Sequence, residues 1–74
     1  MTQPQVFERV TLAAHGKVAL VTLDHPPTIN ALSSTLVGGL MAAMAQVSAG
    51  AFRALVLTGT GRGFCSGADL KDFS

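Results

Sequence analysis

No charged side chain occurs between Pro26 and Phe52. A stretch that long has two stable surroundings, other protein on both sides or lipid, because an ordinary surface segment carries charges facing water. Within it, Leu36, Val37, Leu40, Met41, Met44 and Val47 recur at helical spacing, which predicts a helix. Ser33 or Ser34 is placed to cap its start and Gly50 to stop it. The Gly38-Gly39 pair sits mid-helix, at roughly 1 kcal/mol per glycine relative to alanine. The face opposite Leu36, Leu40 and Met44 is Ala, Gly, Ser and Gln rather than Lys and Glu. The uncharged stretch exceeds the roughly 20 residues that cross a bilayer. Asn30, Ser33, Ser34, Thr35, Gln46 and Ser48 argue against a span, and no basic cluster or aromatic belt flanks the stretch.

On each side of this helix lies a short apolar run. Val18-Ala19-Leu20-Val21-Thr22-Leu23 precedes it, and Arg53-Ala54-Leu55-Val56-Leu57-Thr58 follows it and reads as a buried strand. Strand, helix, strand in that order is a βαβ unit, whose strands are expected to be parallel and whose crossover is expected to be right-handed. Val6 to Ala13 alternates imperfectly and reads as one further strand. The turn Ala14-His15-Gly16-Lys17 then makes an antiparallel hairpin with Val18–Leu23. Asp24-His25-Pro26-Pro27-Thr28 reads as a loop, since prolines neither donate to a ladder nor continue a helix. The fold class is therefore α/β.

Composition narrows the partners. Charged residues make up 12% of the chain, about half the usual share, so much of its surface is expected to be covered by something larger. A net charge of +1, four Phe and no Trp or Tyr offer neither a basic field nor a stacking platform for nucleic acid. The N-terminus has no basic segment followed by an apolar one, so a secretory signal is not expected there and a cytoplasmic location is. Two histidines in separate turns and a single cysteine do not make a metal site. Cys65 reads as a small packing thiol, because no His with an Asn or Asp partner is placed to activate it.

The stretch with the most chemistry runs from Gly59 to Leu70, after the last strand and into the apparent start of another helix at Ala68-Asp69-Leu70-Lys71. Strand, glycine-rich turn and helix start together aim backbone N–H groups at a negative charge. The Gly59-x-Gly61-x-Gly63 spacing lacks the third glycine of a dinucleotide fingerprint, Phe64 standing there, and no Walker pattern is present. In Ser66-Gly67-Ala68-Asp69-Leu70, Gly67 is free to adopt a conformation barred to other residues and so to turn the Ala68 N–H toward a ligand. Asp69 suits the first helical turn as a cap. The Ala68 N–H suits an oxyanion.

These residues resemble the N-terminal part of the enoyl-CoA hydratase/isomerase (crotonase) family. The likeness is carried by Val18 to Pro26, by Asn30-Ala31-Leu32, and by Leu55-Val56-Leu57-Thr58-Gly59 running into Gly63-Phe64-Cys65-Ser66-Gly67-Ala68-Asp69-Leu70. The resemblance implies one portion of a single crotonase-like domain over residues 1–74, a β-β-α spiral represented by its first hairpin and a βαβ unit. It implies an enzyme of fatty acid metabolism, a lyase or isomerase acting on acyl-CoA, assembled as a homotrimer or hexamer, with coenzyme A entering as part of the substrate and no separate cofactor. It implies that the Ala68 N–H is one of two oxyanion donors. It also implies that Ile29, Asn30 and Ala31, with Ser66, Ala68, Asp69 and Leu70, line the coenzyme A groove. Pro27 stands where many members have a lysine or other polar residue. The second donor and the catalytic carboxylates come from later segments in the family, and Glu8, Asp24, Asp69 and Asp72 do not match them. The 74-residue chain alone is thus expected to be inactive. A non-catalytic module that binds coenzyme A or caps a subunit, and a small membrane-associated protein, are the alternative readings.

Overall fold

The structure is a computed structural model and describes residues 5–67. Strand β1 (Gln5–Phe7), β2 (Val10–His15) and β3 (Val18–Leu23) run antiparallel in turn, and β4 (Ala54–Gly59) lies parallel to β3. The sheet order is β1-β2-β3-β4, with helix α1 (Ser34–Ala49) in the crossover between β3 and β4. The hairpin and the βαβ unit expected from the sequence are both present.

The expected first strand is in fact two. Val6 to Ala13 is interrupted at Glu8-Arg9, where Arg9 takes a φ of 59° and the chain reverses so that Phe7 pairs with Val10. A left-handed arginine leaves no compositional trace, so the break is silent in the sequence. Gly16 makes the next reversal with a φ of 62°, as its freedom from a Cβ suggests.

Alternation decides the core. Val10 and Leu12 of β2 and Ala19, Val21 and Leu23 of β3 point to one face, and α1 covers that face. Ser33 caps α1, its hydroxyl oxygen accepting the Leu36 N–H at 3.1 Å and the Arg9 guanidinium at 3.1 Å. Gly50 ends the helix in an extended conformation, its N–H reaching back to the Gln46 and Val47 carbonyls.

The buried helix residues are Leu36, Gly39 and Ala43, with Leu40 and Val47 partly buried beside them. Met41 and Met44 are exposed, which corrects the apolar face read from periodicity. Small residues face the sheet because the helix sits close to it. A Cβ on Gly39 would overlap the Glu8 carbonyl, so only glycine admits this approach.

Strand β4 corrects a second expectation. It is exposed along its length, Leu55, Val56 and Leu57 retaining 41, 48 and 43% of their surface. A continuous apolar run predicts burial, but α1 packs on β1, β2 and β3 and leaves the β4 edge uncovered among the described residues. No helix among those residues is long and apolar enough to cross a membrane.

Candidate functional site

Because β3 and β4 are parallel, the loops that follow them leave the same end of the sheet. In open α/β sheets that end is where ligands bind. The first loop, residues 24–33, and the second, residues 60–67, are stitched together by five kinds of contact.

The first continues the ladder. The Thr60 N–H donates to the Leu23 carbonyl at 2.9 Å, and the Thr60 hydroxyl donates to Asp24 Oδ1 at 3.1 Å. The second is a backbone exchange farther out, where the Ser66 N–H donates to the Ile29 carbonyl at 2.8 Å and the Leu32 N–H to the Gly67 carbonyl at 2.7 Å. The Ser66 hydroxyl adds a third, to the Thr28 carbonyl at 2.8 Å.

The fourth is Asn30, which is wholly buried. Its Oδ1 accepts the His25 N–H at 2.6 Å, and its Nδ2 points at the carbonyls of Phe64 at 2.9 Å, Thr60 at 3.1 Å and Gly63 at 3.4 Å. The fifth is steric. A Cβ on Gly59 would overlap the Phe64 carbonyl and lie 2.7 Å from Asn30 Nδ2, while one on Gly63 would lie 2.7 Å from Ile29 Cγ2. Gly59 and Gly63 are thus required for close approach. Gly61, at a φ of 82°, is required for its turn.

The first loop is built on a single 3₁₀ turn, Pro26–Thr28, which accepts both prolines in its opening positions. It then passes through two successive left-handed residues, Ile29 at a φ of 51° and Asn30 at 54°. A β-branched residue in that region is a strained outlier, typically by about 1–3 kcal/mol, and such strain is concentrated at functional sites. Gly67 closes the second loop at a φ of 101°, a conformation that disfavours any side chain.

Of the residues expected at the site, Ile29, Asn30, Ala31 and Ser66 come together here. Ala68, Asp69 and Leu70 lie outside the described residues. Asn30 offers no accessible surface of its own, so its contribution is to hold its neighbours. The one sign of that role in the sequence is a carboxamide in an otherwise uncharged stretch, directly after Pro-Pro-Thr-Ile. Cys65 is half-buried against the hydrophobic core. No three His, Cys, Asp or Glu side chains gather as a metal site among the described residues. A concavity of about 620 Å³ lies elsewhere, between the β1–β2 turn and α1, and is lined by Phe7, Arg9, Thr35, Gly38 and Gly39 among others.

What this arrangement can do is present backbone groups, held rigidly by cross-loop bonds, at the carboxyl end of a parallel strand pair. The chain has relatives among known proteins. A family model described as enoyl-CoA hydratase/isomerase matches residues 13–74. A probable enoyl-CoA hydratase of Rhodobacter capsulatus is 49% identical over 55 residues, which are 74% of this chain and 21% of that protein. One of Rhizobium meliloti is 37% identical over 67 residues, 89% of this chain and 26% of that protein. Among solved structures, an enoyl-CoA hydratase/isomerase from Mycobacterium paratuberculosis superposes with a TM-score of 0.82 at 39% identity, over 89% of this chain and 26% of that one. An enoyl-CoA hydratase from Thermoplasma volcanium gives 0.82 at 26% identity, over 89% and 27%. The chain therefore spans about a fifth to a quarter of the length of the relatives it matches.

Proposed function

The chain belongs to the enoyl-CoA hydratase/isomerase family, with the crotonase fold, and from that premise we propose that the paired loops at the ends of β3 and β4 form part of an acyl-CoA site where a thioester enolate is stabilised. The reaction it fits best is reversible hydration of a 2-enoyl-CoA. Water adds at the carbon β to the thioester, the displaced π electrons move onto the carbonyl oxygen, and the resulting enolate takes a proton at the α carbon. The charge therefore develops on one oxygen, and preorganised N–H donors act most strongly on charge that appears in the transition state.

The observation that carries this reading is Gly67. Its φ of 101° follows directly on Ser66, whose N–H and hydroxyl are both tied to the first loop. The backbone through Ser66 and Gly67 is thus pinned by fixed bonds. In this proposal the Ala68 N–H is one oxyanion donor. The backbone of Ile29 and Ala31, with Ser66, Asp69 and Leu70, borders the groove for coenzyme A, which arrives as part of the substrate. The proton-transfer carboxylates are assigned to none of this chain's acids. Asp24, the one described carboxylate within the paired loops, is engaged by Thr60. Assembly as a homotrimer or hexamer, a place in fatty acid metabolism and a cytoplasmic location belong to the same proposal.

The test uses the native protein that carries this sequence, its intact mass measured first. Crotonyl-CoA hydration is then compared between wild type and Gly67→Ala. Among the described residues nothing beyond the chain neighbours lies within 4 Å of the added methyl, and the φ of 101° disfavours any side chain, so the effect is expected through the backbone conformation. The expected result is a fall in kcat on the order of 100-fold, the usual cost of losing one oxyanion donor. Undiminished turnover in Gly67→Ala would overturn the assignment of this loop. Saturable acyl-CoA binding without turnover in the wild type would favour the non-catalytic module.

A further inference from the structure

The cross-loop bonds raise the question of which group governs the spacing of the two loops. We propose that the Asn30 side chain is the positioning residue of the acyl-CoA groove, its carboxamide setting the separation of the Ile29–Ala31 backbone from the Ser66–Gly67 backbone. This rests on the acyl-CoA reading above.

Three observations converge on it. First, the side chain has no surface exposed to solvent, yet both of its polar atoms are satisfied by backbone. Buried polar groups that are fully bonded specify a unique arrangement, because any other arrangement strands them without partners. Second, the polarity of the site is one-sided. A single N–H, that of His25, faces Oδ1, and the three carbonyls of Thr60, Gly63 and Phe64 face Nδ2. Only a neutral amide offers an acceptor on one arm and donors on the other; a carboxylate of the same shape would turn an oxygen toward those carbonyls. Third, Asn30 and its neighbour Ile29 are both left-handed, so the loop is held in a conformation it would otherwise leave. The amide lies between the His25 end of the first loop and the Thr60–Phe64 arc of the second, with Gly59 leaving room for it. Releasing it frees both loops. The remaining direct ties, Thr60 to Leu23 and Asp24 at one end and Ser66 to Ile29 and Thr28 with Leu32 to Gly67 at the other, then hold the two loops only at their ends.

The test combines exchange and binding on the native protein. In the wild type, the Asn30 side-chain amide protons should exchange with water at least about tenfold more slowly than those of an exposed asparagine, as several made hydrogen bonds require. In Asn30→Asp, the Ser66 and Leu32 amides should exchange faster by about tenfold or more, while helix amides such as that of Ala43 keep their rates. The dissociation constant for butyryl-CoA, which cannot be hydrated, should rise by a similar factor. Uniformly faster exchange across the helix and sheet would mark a general structural role and overturn the proposal. Unchanged butyryl-CoA affinity in Asn30→Asp would overturn it too. So would fast exchange of the wild-type side-chain amide, a measurement that needs no variant to fold. A wild type that fails to bind butyryl-CoA overturns the acyl-CoA reading, and the proposal with it. That outcome is told apart because the loop amides still respond to Asn30→Asp.

Discussion

Replacing Gly38 and Gly39 by alanine, one at a time, separates helix propensity from packing within a single turn of α1. Either substitution should favour the helix by about 0.5–1 kcal/mol, since alanine loses less backbone freedom on folding. At Gly38 nothing among the described residues lies within 4 Å of the added methyl, so the gain should appear in full. At Gly39 the methyl would overlap the Glu8 carbonyl oxygen and lie 2.8 Å from its carbon and 3.1 Å from the Glu8 nitrogen. That obstacle is backbone, and it is anchored. The Arg9 carbonyl accepts the Asp24 N–H at 2.7 Å, the Arg9 guanidinium holds Ser33, and Phe7 and Val10 are paired across the turn. Overpacking against a fixed neighbour costs about 1–3 kcal/mol. Propensity cancels between the two variants, so Gly39→Ala should be less stable than Gly38→Ala by about 1–3 kcal/mol. Urea unfolding followed by circular dichroism reads this as a difference in midpoint at constant slope. If Gly39→Ala proves as stable as Gly38→Ala, the close seating of α1 on the β1–β2 turn is wrong.

Two further outcomes follow from the same contacts. Ser33→Ala removes both the helix cap and the acceptor for Arg9, and should lower stability by about 1–2 kcal/mol, with Ser33→Asp restoring much of it; an unchanged unfolding midpoint in Ser33→Ala would contradict the cap. Val56→Lys places a charge on the half-exposed β4 edge, and should suppress self-association of the 74-residue chain, read by light scattering, with a stability change within about 0.5 kcal/mol; equal scattering would show that association uses another surface.

Much of the fold was legible in particular residues. Val18–Leu23 was read as a strand over the span it occupies, Ser33 is one of the two caps proposed, and Gly50 stops the helix where expected. Those features are local, and local chemistry is what sequence records. The misses are all tertiary. Arg9 turns the chain without a turn residue's signature. Met41 and Met44 fell on the helical period but outside the sheet contact, because Gly39 and Ala43 let the helix settle on its small residues. The apolar run of β4 states its preference for burial and not what covers it. At the site, Gly67 was legible as a residue needing special backbone freedom. Asn30 reads as part of a groove wall in the sequence, whereas its burial and its four backbone partners, spread over residues 25 to 64, depend on how the two loops meet. Ala68, Asp69 and Leu70 lie outside the described residues.

The parallel pairing of β3 with β4 also sets an order of events during folding. The β2–β3 hairpin closes over a two-residue turn, whereas Thr60 meets Leu23 across 37 positions and Asn30 meets Phe64 across 34. Short loops close in tens of nanoseconds and cost little entropy; the long ones must wait for the helix to be laid down between them. Contacts made late weigh on the rate of unfolding more than on the rate of folding. A lesion in the Asn30 clamp should therefore shorten the lifetime of the native state while leaving the speed of its formation nearly untouched. The site is then the last part of the sheet to assemble and the first to come apart.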